Sequence, residues 1–240
     1  MRPFIQNAVS YFVERAEAHH STSTDSPCDA IVSGYSYPLT KNQQELCQDS
    51  CDRRQVGIFY ADIANYSGLT EQDEGGAYHR LVESMKIMKA YVTTNNGRVV
   101  HTAGDAILAE FKDIDSALHC AVNVQLAARE MNAQLPVNQR VLFRIGVNFG
   151  DVIADNGDIY GNAVNLTARL EKLAKSGGIC VSESVRSELE ENSAFNFLAL
   201  GNQYVKNISE PVQAFWIEFD AQQVVDADFT SSLKVSVMAS

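Results

Sequence analysis

The sequence lacks several features that would assign a protein to a class at once. Its five cysteines are an odd number, and Cys47 and Cys51 have no companion Cys or His pair at zinc-like spacing, so neither a disulfide framework nor a zinc site is predicted. No apolar run approaches the ~20 residues that cross a bilayer, and the N-terminus lacks a basic-then-apolar signal pattern. We therefore expect a cytoplasmic protein without a transmembrane segment.

Positive charge is also scarce. The chain has 19 Lys and Arg residues against 30 Asp and Glu residues, a formal net charge of −11. Sequence-blind binding to nucleic acid depends on neutralising phosphates, so a nucleic-acid partner is not expected, although a local basic pocket for a small polyphosphate stays compatible. The 240 residues, 45% of them hydrophobic, are enough for one globular domain with an appendage.

The chain divides into three parts by pattern. Residues 1–52 form an extension in which apolar residues recur at helical spacing over 3–18 and a weakly periodic linker follows. The helix carries little basic charge, so we expect its apolar side to pack on a dimer partner or a regulatory protein, not in a membrane. A compact domain is predicted over residues 53–220, and the tail 221–240 has no informative pattern.

The order of elements predicted inside the compact domain indicates an α+β fold. The elements are a strand over 55–63, a long helix ending at Asn96-Gly97, a hairpin near 98–102 and 106–111, a helix starting at Asp113 or Asp115, a strand pair or one bent strand over 140–153, a third helix, and strands near 179–182, 195–200 and 212–219. Strand-helix-strand-strand-helix-strand is the order of a ferredoxin-like βαββαβ sandwich, here with a C-terminal extension.

Two aspartates lie where strands of this fold end. Asp62 ends the first strand, and Asp105 lies at the tip of the hairpin that should be its neighbour in the sheet. Two carboxylates at one sheet edge repel each other unless a cation lies between them, and a few hard oxygen ligands favour Mg²⁺ or Mn²⁺ held together with substrate phosphates. The plainer alternative is that Asp62 caps a loop and Asp105 is a turn residue beside Gly104.

The third predicted helix carries a second polar group. Asn165 and Arg169 are four residues apart and share one face, which suits an anionic group of fixed geometry. An ordinary solvated helix face would explain the same pair.

Six segments of the sequence occur in the order found in one enzyme family. They are FYADIANYSGLTEQDE, NGRVVHTAGDAILAEF, FRIGVNFGDVI, GDIYGNAVNLTARLE, GGICVS and VKNISEPVQAF. Together they cover about Gln55 to Phe219 and resemble the catalytic domains of class III nucleotidyl cyclases of the bacterial adenylate cyclase type. The resemblance implies an adenylate cyclase, a phosphorus-oxygen lyase of signal transduction that converts ATP into 3′,5′-cyclic AMP and pyrophosphate.

The resemblance also implies roles for single positions. Asp62, Asp105 and the backbone carbonyl of Ile63 would bind two divalent cations, Mg²⁺ or Mn²⁺. Asn165 would position the ribose, and Arg169 would stabilise charge on the α-phosphate in the transition state. The remaining positions would bind the triphosphate: Lys206 and the backbone amides of Ala64, Asn65 and Tyr66.

Base recognition is where the sequence departs from the family pattern. Adenylate cyclases tend to have a lysine three residues before the glycine of the hairpin Gly-Asp, and His101 stands there instead. Asp158 keeps the aspartate that can accept from the adenine amino group, and a neutral imidazole can donate to adenine N1. ATP is therefore favoured as the substrate, with a guanylate or relaxed-specificity cyclase as the alternative. His101 could also simply pack in the hairpin.

The family likeness bears on assembly as well. In this family the metal aspartates come from one subunit and the Asn/Arg pair from its partner. This chain carries both sets, so the resemblance implies a head-to-tail homodimer with two equivalent sites. The alternative from another functional class is a catalytically silent domain that binds nucleotide or dimerises.

Overall fold

The computed structural model describes residues 52–189, 195–205 and 210–219. In chain order the elements are β1 Asp52–Ile63, α1 Tyr66–Gln72, α2 Glu74–Thr94, β2 Arg98–Ala103, β3 Ala106–Phe111, α3 Ile114–Asn132, a 3₁₀ turn at Val137–Gln139, β4 Phe143–Asp155, β5 Asp158–Tyr160, α4 Asn162–Leu173, β6 Gly178–Ser182, α5 Glu183–Glu188, β7 Asn196–Gln203 and β8 Val212–Glu218. The predicted N-terminal helix over 3–18, its linker and the tail 221–240 lie outside the described residues.

The strands form one sheet in the order β2-β3-β1-β4-β6-β8-β7, and β5 pairs with the end of β4. β1 lies antiparallel to both β3 and β4, while β4 and β6 are parallel. The first four strands with α2 and α3 reproduce the βαββαβ order and the ferredoxin-like arrangement of neighbours. The α+β fold class with a C-terminal extension is thus confirmed.

The helices α2 and α3 cover one face of this sheet. Side chains of β1 alternate, so Phe59, Ala61 and Ile63 point into the core beneath these helices. α3 contributes residues at helical spacing, all of them buried: Ala117, Ala121, Val124 and Ala128. Asp113 is the N-cap of α3, since its side chain accepts a hydrogen bond from the Ser116 amide at 2.7 Å.

α4 covers the opposite face, over β1 and β4. The close approach depends on Gly146 of β4, because a Cβ there would collide with the Thr167 carbonyl and the Glu171 backbone. Val56, Ile58 and Tyr60 of β1 form a second apolar cluster on this side. Asp62, the next residue in the same alternation, therefore faces α4.

The sequence left open whether residues 140–153 form a strand pair or one bent strand. Residues 143–155 form a single strand and not a strand pair. Gly150 does not turn the chain but pairs with Val56 in mid-strand. The hairpin partner is the short β5, which starts only after Asn156 and Gly157.

Two cysteines fall within the described residues. Cys120 and Cys180 are buried free thiols, and burial raises the pKa of both. Cys28, Cys47 and Cys51 lie outside the described part.

Candidate active site

Asp62 and Asp105 meet at one edge of the sheet. Ala61 of β1 pairs with Ile107 of β3, so the turn that carries Asp105 lies beside the last residues of β1. The pKa of Asp105 is raised by burial first, and then by the charge of Asp62 and a hydrogen bond between the two carboxyls. The structure thus brings together the two carboxylates predicted from the sequence.

Arg144 contacts this pair, and the sequence reading missed it. Asp62 and Arg144 are directly opposite on β1 and β4, and the Arg144 Nη2 donates to Asp62 Oδ2 at 3.1 Å. They are far apart in sequence, so only the β1/β4 register could have revealed the contact. The guanidinium offsets the negative charge of Asp62.

Glu171 of α4 contacts the other side of Arg144. Its Oε1 lies 2.7 Å from Arg144 Nε, and only 1% of its side chain is exposed. The N–H is not aligned for a hydrogen bond, so the contact is an ion pair. Burial raises the pKa of Glu171 to about 7, against the lowering effect of Arg144. Glu171 is the second site residue that the sequence did not indicate.

A divalent cation fits the Asp62/Asp105 pair. Within the described ranges there is no group of three or more His, Cys, Asp or Glu side chains that could hold a metal. The two carboxylates are a smaller set, but Asp62 Oδ1 is buried and no donor in the described part of the chain gives it a hydrogen bond. A buried acceptor oxygen beside a second carboxyl is a donor set for Mg²⁺ or Mn²⁺ when substrate phosphates complete the coordination.

The residues after β1 were expected to cradle phosphates. The Ala64 amide does not fit that role, because it donates to the Leu142 carbonyl at 2.8 Å. Asn65 has a left-handed backbone (φ 57°) and starts α1. The amides of Asn65 and Tyr66 belong to the first turn of that helix, where N–H groups have no acceptor within the helix. Of the three predicted amides, those two stay candidates.

A β-bulge directs His101 toward the α4 face. Val99 pairs with Ala109, but His101 pairs with Leu108, so Val100 is the extra residue. Leu108 belongs to the apolar cluster on the α4 side, and paired residues point to the same face. His101 is thus on the same face of the sheet as Asp62, half-buried.

Asp158 lies on the hairpin that folds over the same face. β5 contacts β2, and Ile159 packs among the apolar residues on the α4 side of the sheet. One oxygen of Asp158 accepts a hydrogen bond from the Ile159 amide at 2.9 Å. The second carboxylate oxygen is a further acceptor. The structure thereby brings the strands that carry His101 and Asp158 against each other.

Asn165 and Arg169 lie on the side of α4 away from Glu171. At 100° per residue, Glu171 is about 200° around the helix from Arg169. Glu171 is buried against the sheet, whereas Asn165 is exposed and Arg169 half-buried. Within one chain, this pair therefore does not face the Asp62–Arg144 contact. Lys206 lies outside the described residues.

Comparisons with known proteins identify a family to which this chain is similar. The profile of the adenylate and guanylate cyclase catalytic domain family matches residues 49–219. A Rhizobium meliloti protein named "Putative adenylate cyclase 3" is 34% identical over 168 residues, which is 70% of this chain and 29% of that protein. A Streptomyces coelicolor adenylate cyclase is 30% identical over 59% of this chain and 36% of its own length. This chain thus spans about a third of these curated relatives.

A solved structure shows the same fold. The adenylate/guanylate cyclase/hydrolase from Silicibacter pomeroyi superposes with a TM-score of 0.66 and 35% identity, over 71% of this chain and all of that one.

Proposed function

Because the chain belongs to the family of adenylate and guanylate cyclase catalytic domains, we propose that it converts ATP into 3′,5′-cyclic AMP and pyrophosphate. The observation that carries the proposal is the contact between Asp62 and Asp105, two half-buried carboxyls at one edge of the sheet, where each disfavours the charged form of the other. Relatives named adenylate cyclase and the adenine-type Asp158 support ATP over GTP.

The carboxylates of Asp62 and Asp105 and the carbonyl of Ile63 would hold two divalent cations, Mg²⁺ or Mn²⁺. When bound, such ions neutralise phosphate charge and lower the pKa of the ribose 3′-hydroxyl. Arg144 adds a fixed positive charge beside Asp62, on the face where the phosphates would lie.

The reaction needs no protein nucleophile. The ribose 3′-hydroxyl releases its proton to solvent and its oxygen forms a bond to the α-phosphorus, while the bond from that phosphorus to the bridging oxygen breaks and pyrophosphate leaves. Asn165 would orient the ribose, and the Arg169 guanidinium would stabilise the charge that develops on the α-phosphoryl oxygens. The outer phosphates would meet Lys206 and the amides of Asn65 and Tyr66.

Asp158 and His101 would read the base. Asp158 accepts from the adenine amino group and would oppose the O6 acceptor of guanine, and His101 can donate to adenine N1. A site built on hydrogen bonds discriminates strongly against a base that leaves its polar groups unpaired, so guanine should be disfavoured. A histidine in place of the expected lysine supports the second candidate, a cyclase that also accepts GTP.

The shared-site homodimer remains part of this proposal. Asn165 and Arg169 lie on the side of α4 away from the Asp62–Arg144 contact, which supports an active site completed by the Asn/Arg pair of a second copy. A head-to-tail arrangement of two copies gives two equivalent sites. A regulatory partner would act through the extension 1–52. Every helix in the described part of the chain is too short or too polar to cross a membrane.

Incubating the purified chain separately with ATP, GTP, CTP and UTP, each with Mg²⁺ or Mn²⁺, tests the proposal by mass spectrometry of the products. Cyclic AMP and pyrophosphate in equal amounts are expected. Cyclic GMP alone would favour the guanylate candidate. Absence of any cyclic product under all conditions would contradict the proposal and favour a nucleotide-binding or dimerisation module.

A further inference from the structure

Three charged side chains form a bonded group at the far end of the α4 face from the metal site. Glu110 of β3 accepts from the Arg98 Nε at 2.8 Å and from the Arg54 Nη2 at 2.9 Å. The Glu110 side chain is only 11% exposed. Burial alone would raise the pKa of Glu110, but the hydrogen bonds from Arg98 and Arg54 outweigh it and lower that pKa. Glu110 therefore holds two arginines in fixed positions.

The two arginines differ in what else they touch. Within the described residues, Arg54 donates to two acidic side chains, Glu110 and Asp52. Arg98 also donates from Nη1 to the backbone carbonyl of Gly157. Arg98 therefore links the β2/β3 edge of the sheet to the β4–β5 turn, and Arg54 does not.

The turn that Arg98 holds precedes Asp158 directly. Asn156 (φ 47°) and Gly157 (φ 83°) both have left-handed backbones, as a two-residue type I′ hairpin requires. Asp155 and Asp158 are the pair that closes the turn. A displacement of the Gly157 carbonyl is thus passed on to Asp158, the next residue.

The hairpin is a short element of the sheet. β5 has three residues, paired only with the end of β4. Asn156 and Gly157 are exposed, and Ile159 is the buried anchor of the strand. The hydrogen bond from Arg98 ties the Gly157 carbonyl of the turn to β2.

We propose that Arg98, held by Glu110, is a positioning residue that keeps Asp158 beside the strand of His101 and thereby sets the preference for the base. The inference rests on the proposed function, since Asp158 is there given the reading of the base. A misplacement of about 1 Å in a positioned group can cost tenfold or more in rate. Discrimination between adenine and guanine should suffer before turnover does.

The experiment compares three variants. Arg98→Met removes the donor but keeps the apolar stem, Arg98→Lys keeps a donor and the charge, and Arg54→Met is the matched control that removes the other arginine of Glu110. The first readout needs no catalysis: hydrogen exchange of the amides of residues 156–160 in the nucleotide-free protein. Exchange should rise about tenfold in Arg98→Met only.

The second readout is the ratio of kcat/KM for ATP to that for GTP, with the ratio of the two Kd values measured by calorimetry beside it. Both ratios should fall about tenfold in Arg98→Met, recover in Arg98→Lys and stay unchanged in Arg54→Met. A fall in kcat/KM for ATP with a stable ratio would indicate a general loss of structure and overturn the proposal.

Other outcomes would contradict separate parts of the proposal. Unchanged exchange in Arg98→Met would overturn the anchoring of the turn. Faster exchange with unchanged ATP-to-GTP ratios would show that the anchoring of the turn does not set the base preference. Equal effects in Arg54→Met would show that the changes in exchange and in the ratios come from a general loosening of the sheet. If the wild-type chain makes no cyclic product, the proposed function fails, while exchange and Kd ratios still decide the role of Arg98.

Discussion

At the end of β1, Asp62, Arg144 and Glu171 come from three different elements and share one connected set of contacts, with Asp105 against Asp62. On the outer side of α4, Asn165 is exposed and Arg169 is half-buried. Contacts within a single chain hold the side chains of the first region together. The polar side chains of the second region lie on the outer surface of α4, which is the arrangement expected when a second subunit has to complete the site.

The difference has a physical reason. Neighbouring carboxylates repel one another, and the Arg144 guanidinium beside Asp62 supplies a countercharge within the same chain. An amide and a guanidinium on a helix surface need no such support while they are solvated. Changes in the first region should therefore affect both activity and stability, and changes in the second should affect activity alone.

The largest effect is expected from Asp105→Asn. Loss of one of the two carboxylates proposed to bind the cations should lower kcat by ~10³-fold or more. The thermal midpoint of the cation-free protein should stay equal or rise, because the substitution removes an unfavourable contact between carboxyls. Steady-state kinetics and thermal unfolding measure the two effects, and Asp151→Asn, an exposed carboxylate of β4, is the control. A folded Asp105→Asn variant with wild-type kcat would contradict the cation site.

The second largest effect is expected from Arg169→Ala. Removing a group that stabilises transition-state charge should cost ~10²–10³-fold in kcat, with little change in unfolding.

Mixing this variant with Asp105→Asn then tests the shared site. Random pairing makes half of the dimers mixed, and each mixed dimer has one intact site, so about a quarter of wild-type activity should return. Co-expression of differently tagged chains, with each single variant as control, gives the measurement. No recovery in a sample shown to contain mixed dimers would contradict sharing across subunits.

A smaller effect is expected from His101→Lys. The substitution restores the donor found in the family pattern and should raise the ATP-to-GTP ratio of kcat/KM, by about threefold to tenfold. Kinetics with both nucleotides measure the ratio. The control is Thr102→Ser, the exposed neighbour on the same strand. An unchanged ratio would show that His101 does not contact the base.

Glu171→Gln tests how the stability of the region around Asp62, Arg144 and Glu171 depends on pH. The pKa of Glu171 is raised from 4.5 to about 7, chiefly by burial. Between these values the folded state keeps a proton that the unfolded state has lost, so the free energy of unfolding falls as pH rises. Glutamine lacks this titration, and the variant should gain on the order of 2 kcal/mol relative to wild type from pH 4.5 to 7. Denaturant unfolding at several pH values measures it, and a pH-independent difference would contradict the assignment.

The sequence predicted only part of the region around Asp62, Asp105, Arg144 and Glu171. Asp62 and Asp105 could be paired because they end neighbouring strands of a recognisable βαββαβ order. Arg144 and Glu171 could not, since their contacts depend on the β1/β4 register and on the closeness of α4 that Gly146 permits. The local sequence pattern contains no information on the β1/β4 register or on how closely α4 approaches the sheet. The sequence also could not show that the Ala64 amide is taken by Leu142.

The two residues proposed to recognise the base show the same limit. His101 and Asp158 were identified by position in motifs, but a one-residue bulge at Val100 decides which face His101 occupies. A bulge changes the alternation of side chains without a sequence signal of its own. Helix caps are different, because a cap is made within four residues of the chain, and the sequence placed the start of α3 at Asp113 or Asp115.

The smallest effect is expected at that cap, away from both regions. Asp113→Ala removes the acceptor for the Ser116 amide and should lower the free energy of unfolding by about 1 kcal/mol. Asp115→Ala, the matched control, removes only a charge in the first turn, worth about 0.3 kcal/mol. Neither should change kcat, since α3 packs on the sheet face opposite to α4. Denaturant unfolding and kinetics on both variants check this. A loss of turnover in Asp113→Ala at full folding would mean that the α3 face communicates with the site, and the contrast between the two regions would then not be confined to the α4 side.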